Sequence, residues 1–187
     1  MATKLADPTT GRFYVCDTNA GWIGVVFSER GLRATTTPQR SRDDALRRVA
    51  ETGAVPASEA EARDAVALVT AVANAECVDG LAARIDWDSL GLTPFRRRVM
   101  EEALRIPSGE TRTYAWLAAK VGRPRAARAV GRVMATNPLS VVVPCHRVVG
   151  ADGTLRGYEA GLPVKAALLR AEGARVGGYA ETGVTRK

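Results

Sequence analysis

Residues 113–149 read TYAWLAAKVGRPRAARAVGRVMATNPLSVVVPCHRVV, and the character of the whole chain turns on them. Two short helical patterns meet at a glycine inside this stretch. TYAWLAAKV stops at Gly122, a residue type that closes helices in a left-handed turn. PRAARAVGRVMA starts after Arg123 and must finish before Asn137-Pro138, because the residue preceding a proline leaves the helical region. Two helices joined this way make a helix-turn-helix candidate, although many bundles contain the same arrangement. The second helix says more. Ala126, Ala127, Ala129, Gly131 and Ala135 keep it slim, while Arg125, Arg128 and Arg132 project charge. A helix so narrow could enter a minor groove about 6 Å wide once it opens, whereas readers of the major groove usually display amide side chains. The same alanines would also suit a tightly packed helix.

The end of the stretch carries the chemistry. Three valines running into Pro144 predict an apolar strand that stops there and presents Cys145 at its mouth. His146 follows, and it is the only histidine in the chain, so any imidazole base working near neutral pH is this one. Taken singly, a cysteine among valines is a small buried hydrophobe and a lone histidine a structural residue. With Arg147 beside them they describe a nucleophile. Thiolate is the reactive form, free cysteine titrates near roughly 8.5, and an adjacent imidazole and cation lower that value.

The surroundings fit an intracellular protein. The chain has 187 residues, 46% hydrophobic and 25% charged, the profile of a folded globular chain. Its opening lacks an apolar core region and no later run approaches a membrane span, so neither signal peptide nor anchor is expected and the cytoplasm is the expected location, at the nucleoid if the source is bacterial. Cys16, Cys77 and Cys145 are odd in number and widely spaced, which suits free thiols in a reducing compartment. No CxxC pair exists and one histidine cannot complete the usual zinc ligand sets, so no metal is expected. Charge divides the chain: residues 1–92 carry 10 Lys and Arg against 13 Asp and Glu, and residues 93–175 carry 15 against 6. An excess of this size around Cys145 points first to phosphate backbones.

The acidic half reads as an α/β scaffold without a catalytic constellation. FYVCDT, WIGVVFS and LRATTT, separated by turn-like Asn19-Ala20-Gly21 and Glu29-Arg30-Gly31, predict a small antiparallel sheet. A helix opens at Ser41, with Leu46, Val49 and Ala50 on one face, and a second opens at Ser58 and runs to Glu76. Residues 79–88 read as a last strand and its turn. Composition turns basic at Leu90-Gly91-Leu92, where Thr93 caps a helix with Pro94 at its first position and Phe95, Val99, Leu104 and Ile106 toward a core. This gives domains at 1–90 and 91–175, with a disordered tail at 176–187.

RAARAVGRVMATNP followed by VVVPCHRVVGADGTLRGYEAGLPVKAALLRAEG is similar to the O6-alkylguanine-DNA alkyltransferases, the methylated-DNA-protein-cysteine methyltransferases, from about Thr93 to Arg175. The resemblance implies an α/β N-terminal domain followed by a mostly α-helical one carrying a helix-turn-helix and an active-site cysteine loop. It implies a monomer whose partner is duplex DNA containing O6-alkylguanine, with cooperative binding left open and no cofactor. Arg128 matches the arginine that fills the gap left by a flipped base, within a DNA-binding surface of Arg125, Ala126, Ala127, Ala129 and Tyr114. Tyr114 also matches the tyrosine that steadies phosphate and base and assists the leaving guanine. By the same resemblance Cys145 would take the alkyl group irreversibly, His146 would act as its base through a water, Glu172 would hold the imidazole tautomer, and Asn137 matches the residue that ties the helix pair to the active-site loop. Val148, Tyr158, Glu159 and Met134 match pocket positions, and Arg147 pairs internally. One departure stands out: many members have a small residue and then glycine after the Gly-Tyr pair, and this chain has Glu159-Ala160. Such a carboxylate could repel phosphates or change which alkyl groups fit. The competing readings are a binding-only lesion sensor, against which Cys145 counts, a Cys-His hydrolase, and a transcriptional regulator.

Overall fold

The computed structural model describes residues 11–175; the tail at 176–187 lies outside them. The N-terminal part is a four-stranded mixed sheet in the order β3-β2-β1-β4, from β1 (Arg12–Thr18), β2 (Gly21–Ser28), β3 (Gly31–Thr35) and the two-residue β4 (Val55–Pro56). The first three strands form an antiparallel meander and β4 joins β1 in parallel. Central β2, GWIGVVFS, is apolar almost throughout because α1 (Arg42–Ala50) and α2 (Glu59–Ala73) both pack on it. Gly24 sets how closely α1 approaches: a Cβ there would lie 2.7 Å from Val49 Cβ. The helices start where their caps dictate. Ser41 accepts from the Asp44 amide, and Ser58 and Glu61 form a reciprocal capping box, contacts that each stabilise a helix start by about 1 kcal/mol.

The C-terminal part is helical. It holds α3 (Pro94–Ala103), α4 (Tyr114–Lys120), α5 (Ala127–Ala135) and α6 (Leu162–Ala171), with one short parallel pair, β5 (Arg112–Thr113) and β6 (Val148–Val149). Thr93 caps α3 with Pro94 in its first turn. Val99, Met100 and Ala103 are buried, while Phe95 and Leu104 are only partly so. α4 and α5 pack as a helix-turn-helix through Gly122, which sits at φ +73. The mixed sheet followed by a helical part is the fold class the sequence implied. One hydrophobic cluster runs through both, from Val15 to Leu168. Edge strand β3 continues it toward the chemistry: the Thr35 amide donates to Pro138 O at 2.8 Å and its hydroxyl to Ser140 O at 2.6 Å.

Four local expectations are corrected. Val141–Val143 form a turn, not a strand, with Val141 at φ +72, because the Asn137 side chain takes the backbone bonds that a ladder would have used. Residues 79–88 form two 3-10 turns, Leu81–Arg84 and Trp87–Leu90, with only Ile85 bridging to Leu32; the Trp87 indole donates to Ala82 O and closes the loop. α5 begins at Ala127, since the Ala126 amide bonds Arg123 O in a turn around Pro124. Along α1 the buried pair is Ala45 and Val49, four apart, and Ala50 is exposed.

Candidate active site

The segment from Asn137 to Val149 has little regular structure, so its shape rests on side chains. Buried Asn137 donates from Nδ2 to Val143 O at 2.9 Å and Leu139 O at 3.3 Å, and accepts from the Leu139 amide at 3.0 Å. Three bonds from one amide replace a strand pairing and hold Val141 in the left-handed region, which costs a β-branched residue on the order of 1–3 kcal/mol. Pro144 then feeds a 3-10 turn, Cys145–Arg147.

Cys145 is 6% exposed and lies against a cleft of about 370 Å³ lined also by Tyr114, Met134, Asn137, Tyr158 and Glu159, a volume in the range of small-ligand sites. Burial pushes its thiol up, and a hydrogen bond from Asn137 and the charge of Lys165 only partly oppose that. This reverses the expectation that neighbouring cations lower the value: with so little water the neutral thiol is the resting form, and a base must take its proton. Tyr114 is also raised, by burial first and then by Cys145, so its phenol keeps its proton. Tyr158 is half-buried with its hydroxyl enclosed, desolvation holds that phenol well above its ordinary value, and the hydroxyl has no partner among the described residues. Gly131 on α5 faces the Tyr114 ring, where an added Cβ would sit in ordinary contact at 3.9 Å.

Behind the thiol stands a buried ionic cluster. His146 Nε2 lies 2.8 Å from Glu172 Oε1, and Arg147 donates to the same carboxylate from Nε at 2.9 Å and Nη2 at 2.8 Å, and from Nη1 to Ile106 O at 2.6 Å. Burial alone would raise the Glu172 carboxyl, but its bonds to His146 and Arg147 bring it down to about 2. Glu172 caps the C-terminus of α6, where a helix dipole disfavours an anion, so Arg147 is what makes the position tenable. Burial holds His146 below its ordinary value against the pull of Glu172. Because an ionised Glu172 accepts from Nε2, the proton belongs there and Nδ1 carries the free lone pair; Nδ1 has no partner among the described residues.

The fold brings Cys145, Tyr114, Asn137, Met134, Tyr158 and Glu159 to one cleft. Arg125 and Arg128 stand exposed at the start of α5, with Ala126, Ala127 and Ala129 half-buried beneath them. Val148 is placed differently from its pocket expectation. It is buried in β6, its carbonyl accepts from Lys165 at 2.7 Å, and it does not line the cleft. Arg97 on α3 pairs with Glu101 and Asp88 and lies over Trp87.

Lys165 was not singled out from the sequence. It is fully buried, its ammonium donates to Val148 O and Leu155 O, and desolvation brings it down to about 8. The available signal was its spacing three and four residues before Leu168 and Leu169, which puts a cation on the buried face of α6. Its charge favours the Cys145 thiolate. Lys165→Met is therefore expected to move alkylation of Cys145 by iodoacetamide to higher pH, read by peptide mass across a pH series. An unmoved profile would show that the ammonium serves only the loop carbonyls.

Taken together these features define a class: a protein with one buried cysteine nucleophile, backed by His and Glu, in a cleft beside an arginine-bearing helix-turn-helix. Residues 94–174 match the family model described as 6-O-methylguanine DNA methyltransferase, DNA binding domain. The chain is 54% identical over 83 residues to the methylated-DNA–protein-cysteine methyltransferase of Salmonella typhimurium, 44% of this chain and 48% of that one. It is 51% identical over 88 residues to that of Mycobacterium leprae, 47% and 53%. The match thus spans about half the length of these curated relatives. Solved structures extend it: the Mycobacterium tuberculosis O6-methylguanine methyltransferase crystal structure aligns with 87% of this chain and 92% of its own, at 32% identity and a TM-score of 0.66. A structure of the tuberculosis protein in complex with DNA aligns at 34% identity, covering 86% and 92%, with a TM-score of 0.67. The chain belongs to the methylated-DNA–protein-cysteine methyltransferase family.

Proposed function

We propose that this chain repairs duplex DNA by flipping out O6-alkylguanine and moving the alkyl group onto Cys145, once per molecule. The observation that carries the reading is the placement of Cys145 in a ligand-sized cleft with Tyr114 on its wall and the His146–Glu172 pair behind it. His146 Nδ1 takes the thiol proton, directly or through a water. Sulfur then bonds the alkyl carbon as the carbon–O6 bond breaks, and guanine leaves with a proton or hydrogen bond supplied by the neutral Tyr114 phenol. The thioether formed has no carbonyl for water to attack, so no step regenerates the thiol. Residues 91–175 hold this machinery, with 1–90 as scaffold. No cofactor enters the chemistry.

Exposed Arg125 and Arg128, with the alanines between them, present a narrow cationic edge suited to a minor groove. Arg128 fills the space the base leaves. A binding-only sensor would have no need of Cys145.

Incubation with duplex DNA carrying O6-methylguanine is expected to add a single methyl group, on Cys145 and not on Cys16 or Cys77, as read by intact and peptide mass. Transfer continuing for many equivalents would rule out the stoichiometric mechanism. Extrusion costs a few kcal/mol, and recovering about 1.4 kcal/mol of it is a tenfold effect. Arg128→Ala should accordingly slow repair of duplex DNA about tenfold or more while reaction with free O6-benzylguanine changes little. Equal losses on both would refute the role of Arg128.

A further inference from the structure

The lip of the Cys145 cleft is tied to the N-terminal helix by one ion pair: Arg48 Nη1 of α1 lies 3.1 Å from Glu159 Oε1. Building on the alkyl-transfer reading above, we propose that this pair is a latch that narrows the cleft mouth and thereby sets which alkyl groups reach the sulfur.

Glu159 stands on a wall between two spaces. One side lines the Cys145 cleft, and the other lines a smaller crevice of about 80 Å³ shared with Arg48, Val49, Ala135 and Thr136. The segment around it is held from below by Lys165 and by Tyr158 packed on the core. Lys165 pins Leu155 O, and Leu155 is buried. Immediately afterwards Arg156 takes φ +54, Gly157 follows, and Gly161 at φ +87 leads into α6, a pattern that places permissive backbone at both ends of the lip. Among the described residues, the Arg48 contact is the only side-chain hydrogen bond or ion pair that residues 157–161 make. Closing the pair therefore holds the Glu159 side chain across the cleft mouth, while opening it releases that side chain and leaves Tyr158 packed against the core.

The strength suits a latch. Both side chains are nearly half exposed, 44% and 46%, and pairs this wet shift an equilibrium by only about twofold to fivefold. Such a pair biases the cleft toward its narrow form yet yields to a larger group. It also neutralises a carboxylate that would otherwise face incoming phosphates.

The test compares single-turnover rates on one duplex sequence carrying either O6-methylguanine or O6-benzylguanine. Arg48→Ala and Glu159→Gln are each expected to raise the benzyl-to-methyl rate ratio about twofold to fivefold. The double variant should go no further than either alone, and Arg48→Lys should keep the wild-type ratio. An unchanged ratio in both single variants, or single effects that multiply in the double, overturns the latch. Labelling of Cys145 with N-methylmaleimide and with fluorescein maleimide reads the lip without any alkyl transfer. Arg48→Ala should speed the bulky reagent relative to the small one, and an equal ratio counts against the proposal. A chain that accepts no alkyl group from either duplex but shows this labelling change would end the repair reading and leave the lip latch standing.

Discussion

Cys145→Ser is expected to abolish alkyl acceptance while binding to O6-methylguanine duplex is kept. The substitution exchanges sulfur for a smaller oxygen at a site that is 6% exposed, in a segment where Val143 and Val148 are also buried, so the fold has little reason to change. The chemistry has every reason to. Burial already pushes the Cys145 thiol above its ordinary value, and an alcohol in the same desolvated place is far harder to ionise and a weaker nucleophile toward saturated carbon. No oxyanion chemistry is available to rescue it, because the electrophile is not a carbonyl. Binding, by contrast, is assigned in the proposed function to Arg125, Arg128 and the α5 surface, which the substitution leaves untouched. Intact mass after incubation and a gel-shift titration on the same duplex separate the two. A methylated serine variant would move the acceptor away from residue 145, and lost DNA binding would place the cysteine in the recognition surface.

Much of this architecture was readable because local rules and tertiary packing agree. Ser41, Ser58 and Thr93 cap the helices they announce, Gly122 turns the helix pair, and the alternation around Asn19–Gly21 and Glu29–Gly31 gives the meander. The sequence misled where a side chain overrides backbone preference. Three consecutive valines favour a strand, yet the Asn137 amide claims Leu139 and Val143 carbonyls and bends them into a turn. The same holds at the site. Cys145, His146 and Glu172 are legible through the family pattern, but spacing alone does not predict that burial outweighs neighbouring charge at the thiol. Lys165 was hidden for a related reason: a lysine in a helix reads as solvated unless its place relative to Leu168 and Leu169 is weighed. The Arg48–Glu159 contact spans 111 residues of sequence, and no local pattern points to it.

The second large effect is expected at Glu172, and it follows from how one carboxylate serves two cations. Its Oε1 faces both His146 Nε2 and Arg147 Nη2, and its Oε2 receives Arg147 Nε. A glutamine has only one oxygen to offer. If that oxygen stays with Arg147, the amide NH2 meets His146 Nε2 and donates to it, driving the imidazole proton to Nδ1 and removing the lone pair that would accept the thiol proton. If it turns to His146, the amide NH2 faces the Arg147 Nε donor instead, and in either orientation a buried guanidinium loses its anion, a change that costs about 3–5 kcal/mol. Glu172→Gln should thus slow transfer by roughly 10²–10⁴-fold, the usual contribution of a positioned base, with little change in DNA affinity. The pH dependence of stability tests the same cluster. Glu172 is held at about 2 against an ordinary 4.5, so it contributes stability on the order of 3 kcal/mol that is present above about pH 4.5 and lost as pH falls toward 2. His146 acts with the opposite charge: it resists protonation in the folded state, so stability also declines once pH drops below its ordinary value, where the unfolded chain takes up a proton that the folded one refuses. In Glu172→Gln the step between pH 4.5 and 2 should shrink while overall stability is lower at neutral pH, measured by denaturant unfolding across a pH series. A variant with an unchanged acid limb, or a transfer rate within a factor of about 10 of the parent, would remove Glu172 from the role of orienting His146 and leave it as an anchor for Arg147 alone.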